Sequence, residues 1–126
     1  MWFDGLVKIL NDFQLVESPY REALIESQLM NWLKDHHVGA RNQRNSSLGR
    51  YDIVLFYEGH RVCLELKKRA STSCVEQIDR YSRDFEALIL VCYRASSTLK
   101  GIFEIAKKSA KIPIEIIEIR SNCELA

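Results

Sequence analysis

The chain has 126 residues, enough for one domain with a substantial core, and its formal net charge is +1. Its 47% hydrophobic and 28% charged residues, with 5 Gly and 2 Pro, exclude a disordered tail, a collagen-like repeat and a low-complexity linker. No apolar run approaches the ~20 residues of a membrane helix, and the first residues lack the pattern of a signal peptide. We therefore expect a soluble, cytoplasmic protein without a membrane partner, in which residues 1–126 form a single domain.

The first part of the chain predicts two helices. Apolar residues recur at helical spacing over residues 2–14, so residues 1–16 are assigned to an N-terminal helix and residues 19–120 to the core. Ser18-Pro19 is a helix start signal, and the second helix is expected to run to Asp35 and to end at Val38-Gly39. The N-terminal helix is apolar enough either to cap the core or to form a homodimer contact, and the sequence leaves both open.

The middle of the chain predicts a polar loop followed by a β-hairpin. Residues 40–49 are polar and predict a loop, whereas residues 51–57 and 61–68 predict two antiparallel strands. A tight turn at Glu58-Gly59-His60 joins these strands. Side chains alternate along the second strand, so an apolar set and a mixed set should lie on opposite faces: Val62, Leu64 and Leu66 against Cys63, Glu65 and Lys67.

The rest of the chain alternates between helix and strand. The predicted elements are a helix at 71–85, a strand at 87–93, a helix at 97–110 and a strand at 113–119. Strands joined by helices form right-handed crossovers and pair in parallel. The sequence therefore predicts an α/β domain in which helices flank a mixed central β-sheet.

Two carboxylates and a lysine on the hairpin form the candidate site. Hairpin pairing should bring Asp52 towards Glu65, and Lys67 shares the face of Glu65. Converging carboxylates repel one another unless a cation neutralises them, and hard oxygen ligands suit Mg²⁺ or Mn²⁺. A neighbouring ammonium can orient a water or hold a phosphate oxygen, so the set suits metal-assisted phosphodiester hydrolysis. The alternative is a Glu–Lys ion pair on the solvated side of a sheet.

Three segments in chain order carry a family resemblance. GRYDIVL at 49–55, CLELKKR at 63–69 and VEQIDRY at 75–81 resemble the motifs of the PD-(D/E)xK nuclease superfamily. They look most like the nuclease domains of the NucS type and of RecB-like nucleases, whereas the chain length is similar to that of archaeal Holliday-junction resolvases. Tyr51 stands where many members have proline, and we expect no counterpart here to the N-terminal DNA-binding domain of the NucS type. The resemblance implies a restriction-endonuclease-like core of the order αβββαβ.

The resemblance also implies roles for individual residues. Asp52 and Glu65, with the backbone carbonyl of Leu66, would bind Mg²⁺ or Mn²⁺. Lys67 would position or activate the attacking water. Gln77 would orient the nucleophile or a phosphate.

The superfamily often adds a glutamate from the first core helix. Glu22 and Glu26 are both candidates, because they lie one helical turn apart. Glu26 lies at the edge of the apolar stripe of this helix and is therefore preferred.

Basic residues surround the predicted site. The segment between His36 and Tyr51 contains no acidic residue, and further basic residues follow Lys67. Such side chains contact DNA phosphates without reading the sequence, although the pattern also fits a solvated basic loop. The predicted nucleic-acid contacts are Arg41, Arg44, Arg50, Lys68 and Arg69.

The sequence thus predicts a metal-dependent deoxyribonuclease selective for DNA structure, acting in repair, recombination or replication, within a larger complex or as a homodimer. The first alternative is a non-catalytic DNA-binding or assembly module of the same fold. The second is a structural α/β module in which Glu65 and Lys67 form a surface ion pair.

Overall fold

The computed structural model describes residues 1–15, 22–42, 53–69, 78 and 82–121. Helices and strands follow one another in the order α1 (Trp2–Asn11), β1 (Gln14–Leu15), α2 (Glu22–Asp35), β2 (Gly39–Asn42), β3 (Ile53–Tyr57), β4 (His60–Arg69), β5 (Ala87–Arg94), α3 (Ser97–Ser109), β6 (Ile114–Glu118) and β7 (Arg120–Ser121).

The centre of the molecule is a five-stranded mixed sheet with the strand order β2-β3-β4-β5-β6. β3 pairs antiparallel with both β2 and β4, whereas β5 pairs in parallel with both β4 and β6. β1 and β7 form a separate two-stranded parallel sheet. The predicted mixed sheet between helices is confirmed, as are the antiparallel hairpin and the parallel pairing that follows it.

The two faces of the sheet have separate cores. On one face α1 and α2 cover the alternate positions of β4, in a cluster that includes Leu6, Leu10, Ile25, Leu29, Leu33, Val62, Leu64 and Leu66. On the other face α3 and the helical residue Ile78 pack against the intervening positions, with Val54, Cys63, Leu88, Leu90, Leu99 and Phe103. The predicted alternation in β4 is confirmed for these residues, and α1 is part of the core that it covers.

The segment after α2 differs from the prediction. Residues 39–42, assigned in part to the polar loop 40–49, form strand β2, in which Gly39 lies opposite Phe56 and Asn42 opposite Ile53. β2 is an edge strand, which pairs through its backbone along one side and can leave its side chains in solvent. Such a strand does not need the β-branched and aromatic residues that identify a buried strand in the sequence, so the polar composition of β2 did not predict it. Arg41 therefore lies on a strand and not in a loop.

Two further boundaries differ. α1 ends at Asn11, and Gln14 and Leu15 pair instead with Arg120 and Ser121. Residues 82–84 form a turn, so the helix predicted at 71–85 ends before Phe85. Phe85 is buried and lies two residues before β5. Of the helix predicted at 71–85, the structure describes Ile78, which is helical, and residues 82–85. Its remaining residues lie outside the described part of the chain, as do Ser18 and Pro19.

α2 ends at Asp35 as predicted, but a different residue ends it. His37 adopts a left-handed backbone with φ of 60°. Its N–H donates to Lys34 O at 3.1 Å and the N–H of Val38 to Leu33 O at 2.8 Å, which is the Schellman pattern of a helix C-terminus. The residue that reverses the chain is therefore a histidine, not Gly39.

Candidate active site

Glu65 and Lys67 lie on β4, the central strand of the sheet. Because Cys63 packs on the α3 face, alternation places Glu65 and Lys67 on that same face, while Leu66 packs on the α1–α2 face. Glu65 is 8% exposed and is the buried charged residue of the described part of the chain, whereas Lys67 is half-buried. The strand thus presents an almost fully buried carboxylate beside a partly accessible ammonium.

The surroundings of Glu65 are apolar. Its register partner on β5 is Leu90, and that of Lys67 is Cys92; both partners are buried. Apolar surroundings of this kind have a low dielectric constant, which strengthens the electrostatic interactions of the Glu65 and Lys67 charges. Among the described residues, every buried side-chain nitrogen or oxygen has a hydrogen-bond partner, so the fold accommodates this carboxylate.

The hairpin register determines which residues approach Glu65. Glu58 and Gly59 have φ of 49° and 81° and form a two-residue loop between the paired residues Tyr57 and His60. Positive φ at both positions is typical of a type I′ turn, which sets the register of a hairpin. At the other end Ile53 pairs with Leu64. Asp52, the residue before Ile53, lies outside the described residues, and its approach to Glu65 remains a prediction.

Arg41 lies on the same face as Glu65. It pairs with Val54 on β3, which in turn pairs with Cys63 on β4, and register partners in a sheet project from one face. The Arg41 side chain is exposed. The structure thus brings this predicted DNA contact to the edge of the face that carries Glu65 and Lys67.

Glu26 is not brought to this face. It is half-buried on α2, whose buried residues Ile25 and Leu29 pack on the Leu64 side of the sheet. The sheet therefore separates α2 from the face of Glu65. For the alternative Glu22, the structure describes the backbone alone, as part of α2.

The remaining predicted residues are described in part or not at all. Lys68 and Arg69 belong to β4 by their backbone. Gln77, Arg44 and Arg50 lie outside the described residues. Ile78, the neighbour of Gln77 in the chain, is helical and packs on the face that Glu65 shares.

Cys92 and Glu118, which the sequence pattern did not indicate, are aligned in register with Lys67 on the next two strands, β5 and β6; we call these three aligned positions a row. Cys92 pairs with Lys67 on one side and with Glu118 on the other, so Lys67 and Glu118 flank Cys92 across three strands. Glu118 accepts hydrogen bonds from Ala95 N at 2.8 Å and from Lys100 Nζ at 3.2 Å. Sequence alone gives no register between parallel strands joined by a crossover, so no pattern indicated this row.

The described donors suit a hard divalent cation. The Glu65 carboxylate and the Leu66 backbone carbonyl are oxygen ligands of the kind that Mg²⁺ and Mn²⁺ prefer. Within the described ranges, no group of three or more His, Cys, Asp or Glu side chains could hold a metal ion. Asp52, the other predicted carboxylate, lies outside these ranges.

In the part that the structure describes, no helix combines the length and the apolar character needed to cross a lipid bilayer. Comparison with protein-family models, with curated proteins and with solved structures gave no match.

Proposed function

We propose that this protein is a metal-dependent nuclease that hydrolyses DNA phosphodiester bonds at a site built on β4. The observation that carries the proposal is the pair Glu65 and Lys67, in which a carboxylate that is 8% exposed adjoins a lysine on the same face of the central strand. Buried carboxylates are costly and are retained mostly where they are paired or bind a metal. A pair that served only surface solubility would not need this burial.

The order of the elements supports a restriction-endonuclease-like core. From α2 the chain continues through β2, β3 and β4, then through the helical residue Ile78 to β5. This order is compatible with αβββαβ, and β2, which the sequence did not predict, would supply its first strand. In this proposal Asp52 would continue the hairpin register and face Glu65, because Ile53 pairs with Leu64.

The chemistry assigned to the site is attack of water on phosphorus, with cleavage of one P–O bond to the sugar. A bound Mg²⁺ or Mn²⁺ would supply Lewis-acid polarisation and neutralise developing charge. Glu65 and the Leu66 carbonyl, with Asp52, would hold that cation. Lys67 holds the water or a phosphate oxygen by a charge-assisted hydrogen bond, and Gln77 would orient one of them.

The proposed substrate is DNA recognised by its backbone and shape. Arg41 lies exposed on the face of Glu65, where an arginine can contact phosphates without reading bases. Arg44, Arg50, Lys68 and Arg69 are assigned to the same task. Selection of a junction, flap or single strand, homodimer formation and a place in a repair, recombination or replication complex belong to this proposal.

The test is cleavage of labelled single strands, duplexes, mismatches, flaps and four-way junctions with Mg²⁺, with Mn²⁺ and with EDTA. Glu65→Gln and Lys67→Met remove the two charges while keeping side-chain size. The matched controls are Glu104→Gln and Lys108→Met on α3, where both side chains are exposed. Circular dichroism confirms that each variant is folded.

We expect metal-dependent cutting that both site variants abolish and both control variants retain. Full cleavage by folded Glu65→Gln or Lys67→Met would rule out the proposed site. DNA binding that is equal with and without Mg²⁺, with no cleavage of any substrate, would instead support the non-catalytic module of the same fold.

A further inference from the structure

A groove of about 590 Å³ lies between the end of α1, β1 and the outer side of α2. Because α2 packs on the Leu64 side of the sheet, the groove lies on the opposite side from Glu65 and Lys67. Its volume is within the range of small-ligand sites, roughly 300–1,000 Å³. The inference drawn from it does not depend on the proposed nuclease activity.

Two aromatic side chains form one wall of the groove, and a hydrogen bond fixes the position of one of them. Trp32 and Phe13 both line it, with ring centroids 6.0 Å apart and planes tilted by 56°. The Trp32 indole Nε1 donates a hydrogen bond to Ile9 O at 2.9 Å, and the His36 ring lies 4.0 Å from the Trp32 ring. The indole is therefore fixed between α1 and α2 and presents a preformed surface to a ligand.

The rim of the groove is negative. Asp12 caps the C-terminus of α1 and Asp35 is the last residue of α2; both are exposed and both line the groove. The C-terminal end of a helix also carries the partial negative charge of the helix dipole. Lys and Arg are absent from the described lining, whose other polar members are the side-chain amides Gln14, Gln28 and Asn31. An anionic ligand is therefore disfavoured and a cation favoured.

We propose that this groove binds an arginine side chain presented by a partner polypeptide. A guanidinium is a planar cation that stacks on an indole and donates paired hydrogen bonds to carboxylates and amide oxygens. The groove offers each of these: Trp32, the two aspartates and the amides. The volume exceeds what one side chain fills, so the residues flanking the arginine also contact the groove, which favours a peptide over a small free cation.

The test is NMR titration of the intact protein with the peptide acetyl-Gly-Arg-Gly-amide, observing the Trp32 indole N–H. A Trp2→Phe variant assigns the signal, since the chain has 2 Trp. The comparison ligands are the same peptide with citrulline in place of arginine, which keeps the shape and removes the charge, and butylguanidine, which keeps one guanidinium and its alkyl chain without the peptide.

We expect the arginine peptide to shift the Trp32 signal at millimolar concentration, and the citrulline peptide and butylguanidine to bind at least about tenfold more weakly. Asp12→Asn combined with Asp35→Asn should weaken the arginine peptide by a similar factor, whereas Asp4→Asn on the same helix α1 should not. Both groove aspartates are exposed, so the double variant keeps the fold. Asn31→Lys, which places a competing cation in the lining, should also block binding.

Four results would each overturn the proposal. They are no shift of the Trp32 signal, equal binding of the citrulline peptide, equal binding of butylguanidine, and full affinity in the double variant. Equal binding of butylguanidine would identify a site for a free organic cation instead.

Discussion

The Trp2 indole and the His60 imidazole lie face to face, with centroids 3.9 Å apart and planes within 9° of parallel. Trp2 opens α1 and His60 opens β4, so the stack joins the N-terminal helix to the hairpin that carries Glu65. On its edge, His60 Nδ1 lies 3.2 Å from Glu86 Oε2, which also accepts the Arg61 N–H at 2.8 Å. One cluster therefore connects α1, β4 and the start of β5.

Removal of the Trp2 ring should loosen α1. We expect Trp2→Ala to lower the free energy of unfolding by about 2 kcal/mol, because a half-buried aromatic side chain and its stacking partner are lost. Trp2→Phe, which keeps a ring over His60, should retain most of that stability. Urea denaturation followed by circular dichroism measures both variants, and equal stability of Trp2→Ala and the parent would show that the stack contributes nothing.

Glu86 makes the same cluster sensitive to acid. The Arg61 backbone N–H, followed by the hydrogen bond and the charge of His60, lowers the pKa of Glu86 below its ordinary 4.5 despite some opposing desolvation. A lowered folded-state pKa contributes stability that is complete above 4.5 and is lost as the pH falls below it. Glu86→Gln should therefore be less stable than the parent at neutral pH and approach it in acid. Parallel stability curves at all pH values would contradict this.

Lys107 connects α3 to β6 and should matter at high pH. Partial burial opposes its charge, but Glu104 and Glu115 accept hydrogen bonds from its ammonium at 2.8 and 2.9 Å and raise its pKa above 10.5. The resulting stability is present below 10.5 and is lost as the pH rises above it. Lys107→Met should cost about 1 kcal/mol at neutral pH, and less in high salt. Lys108→Met, exposed on the same helix, is the control, and equal losses in both variants would exclude the ion pairs as the cause.

The central elements of the fold could be predicted because their side chains follow simple periods. Val62, Leu64 and Leu66 alternate with Cys63 and Glu65, and the structure separates these sets onto two faces as expected. The buried run of β5 and the parallel pairing that follows it are likewise determined by local composition and by the intervening helices. Such patterns depend on residues near one another in the chain.

The parts that were missed depend on distant partners. β2 is polar and becomes a strand because β3 offers a backbone edge, and the two residues of β1 pair with a strand more than a hundred positions away. The row of Lys67, Cys92 and Glu118 depends on the register between parallel strands, which no local period encodes. For Glu26, the helical stripe indicates only which side of α2 faces the sheet, whereas the face of the sheet that α2 covers is set by the whole fold.

The backbone at the end of α2 and at the hairpin turn gives a stability prediction. His37 has φ of 60°, a conformation in which glycine lacks the steric cost of a side chain. We expect His37→Gly to raise the free energy of unfolding by about 1 kcal/mol. Gly59→Ala, with φ of 81° at the turn, should lower it by a similar amount. Thermal unfolding of both variants tests the assignment, and a loss of stability in His37→Gly would contradict it.

Arg41 tests whether DNA crosses the face of Glu65. It lies on the row formed with Val54 and Cys63, near the pair of Ile53 and Leu64 that ends the described hairpin. If it contacts one phosphate, Arg41→Ala should weaken binding equally for all DNA sequences and lower the slope of log affinity against log salt by about one.

Arg83 provides the matched control for this measurement. It is an exposed arginine in the turn that precedes β5. It therefore lies near the amino-terminal ends of the parallel strands β4 and β5, whereas Glu65 and Lys67 lie towards the carboxyl end of β4. Arg83→Ala should leave the salt slope unchanged if DNA binds at the Glu65 side. Equal slopes for the Arg41→Ala and parent proteins would place the DNA elsewhere. A reduced slope for Arg83→Ala alone would place the DNA at the end of the sheet that carries Trp2 and His60, away from the proposed site.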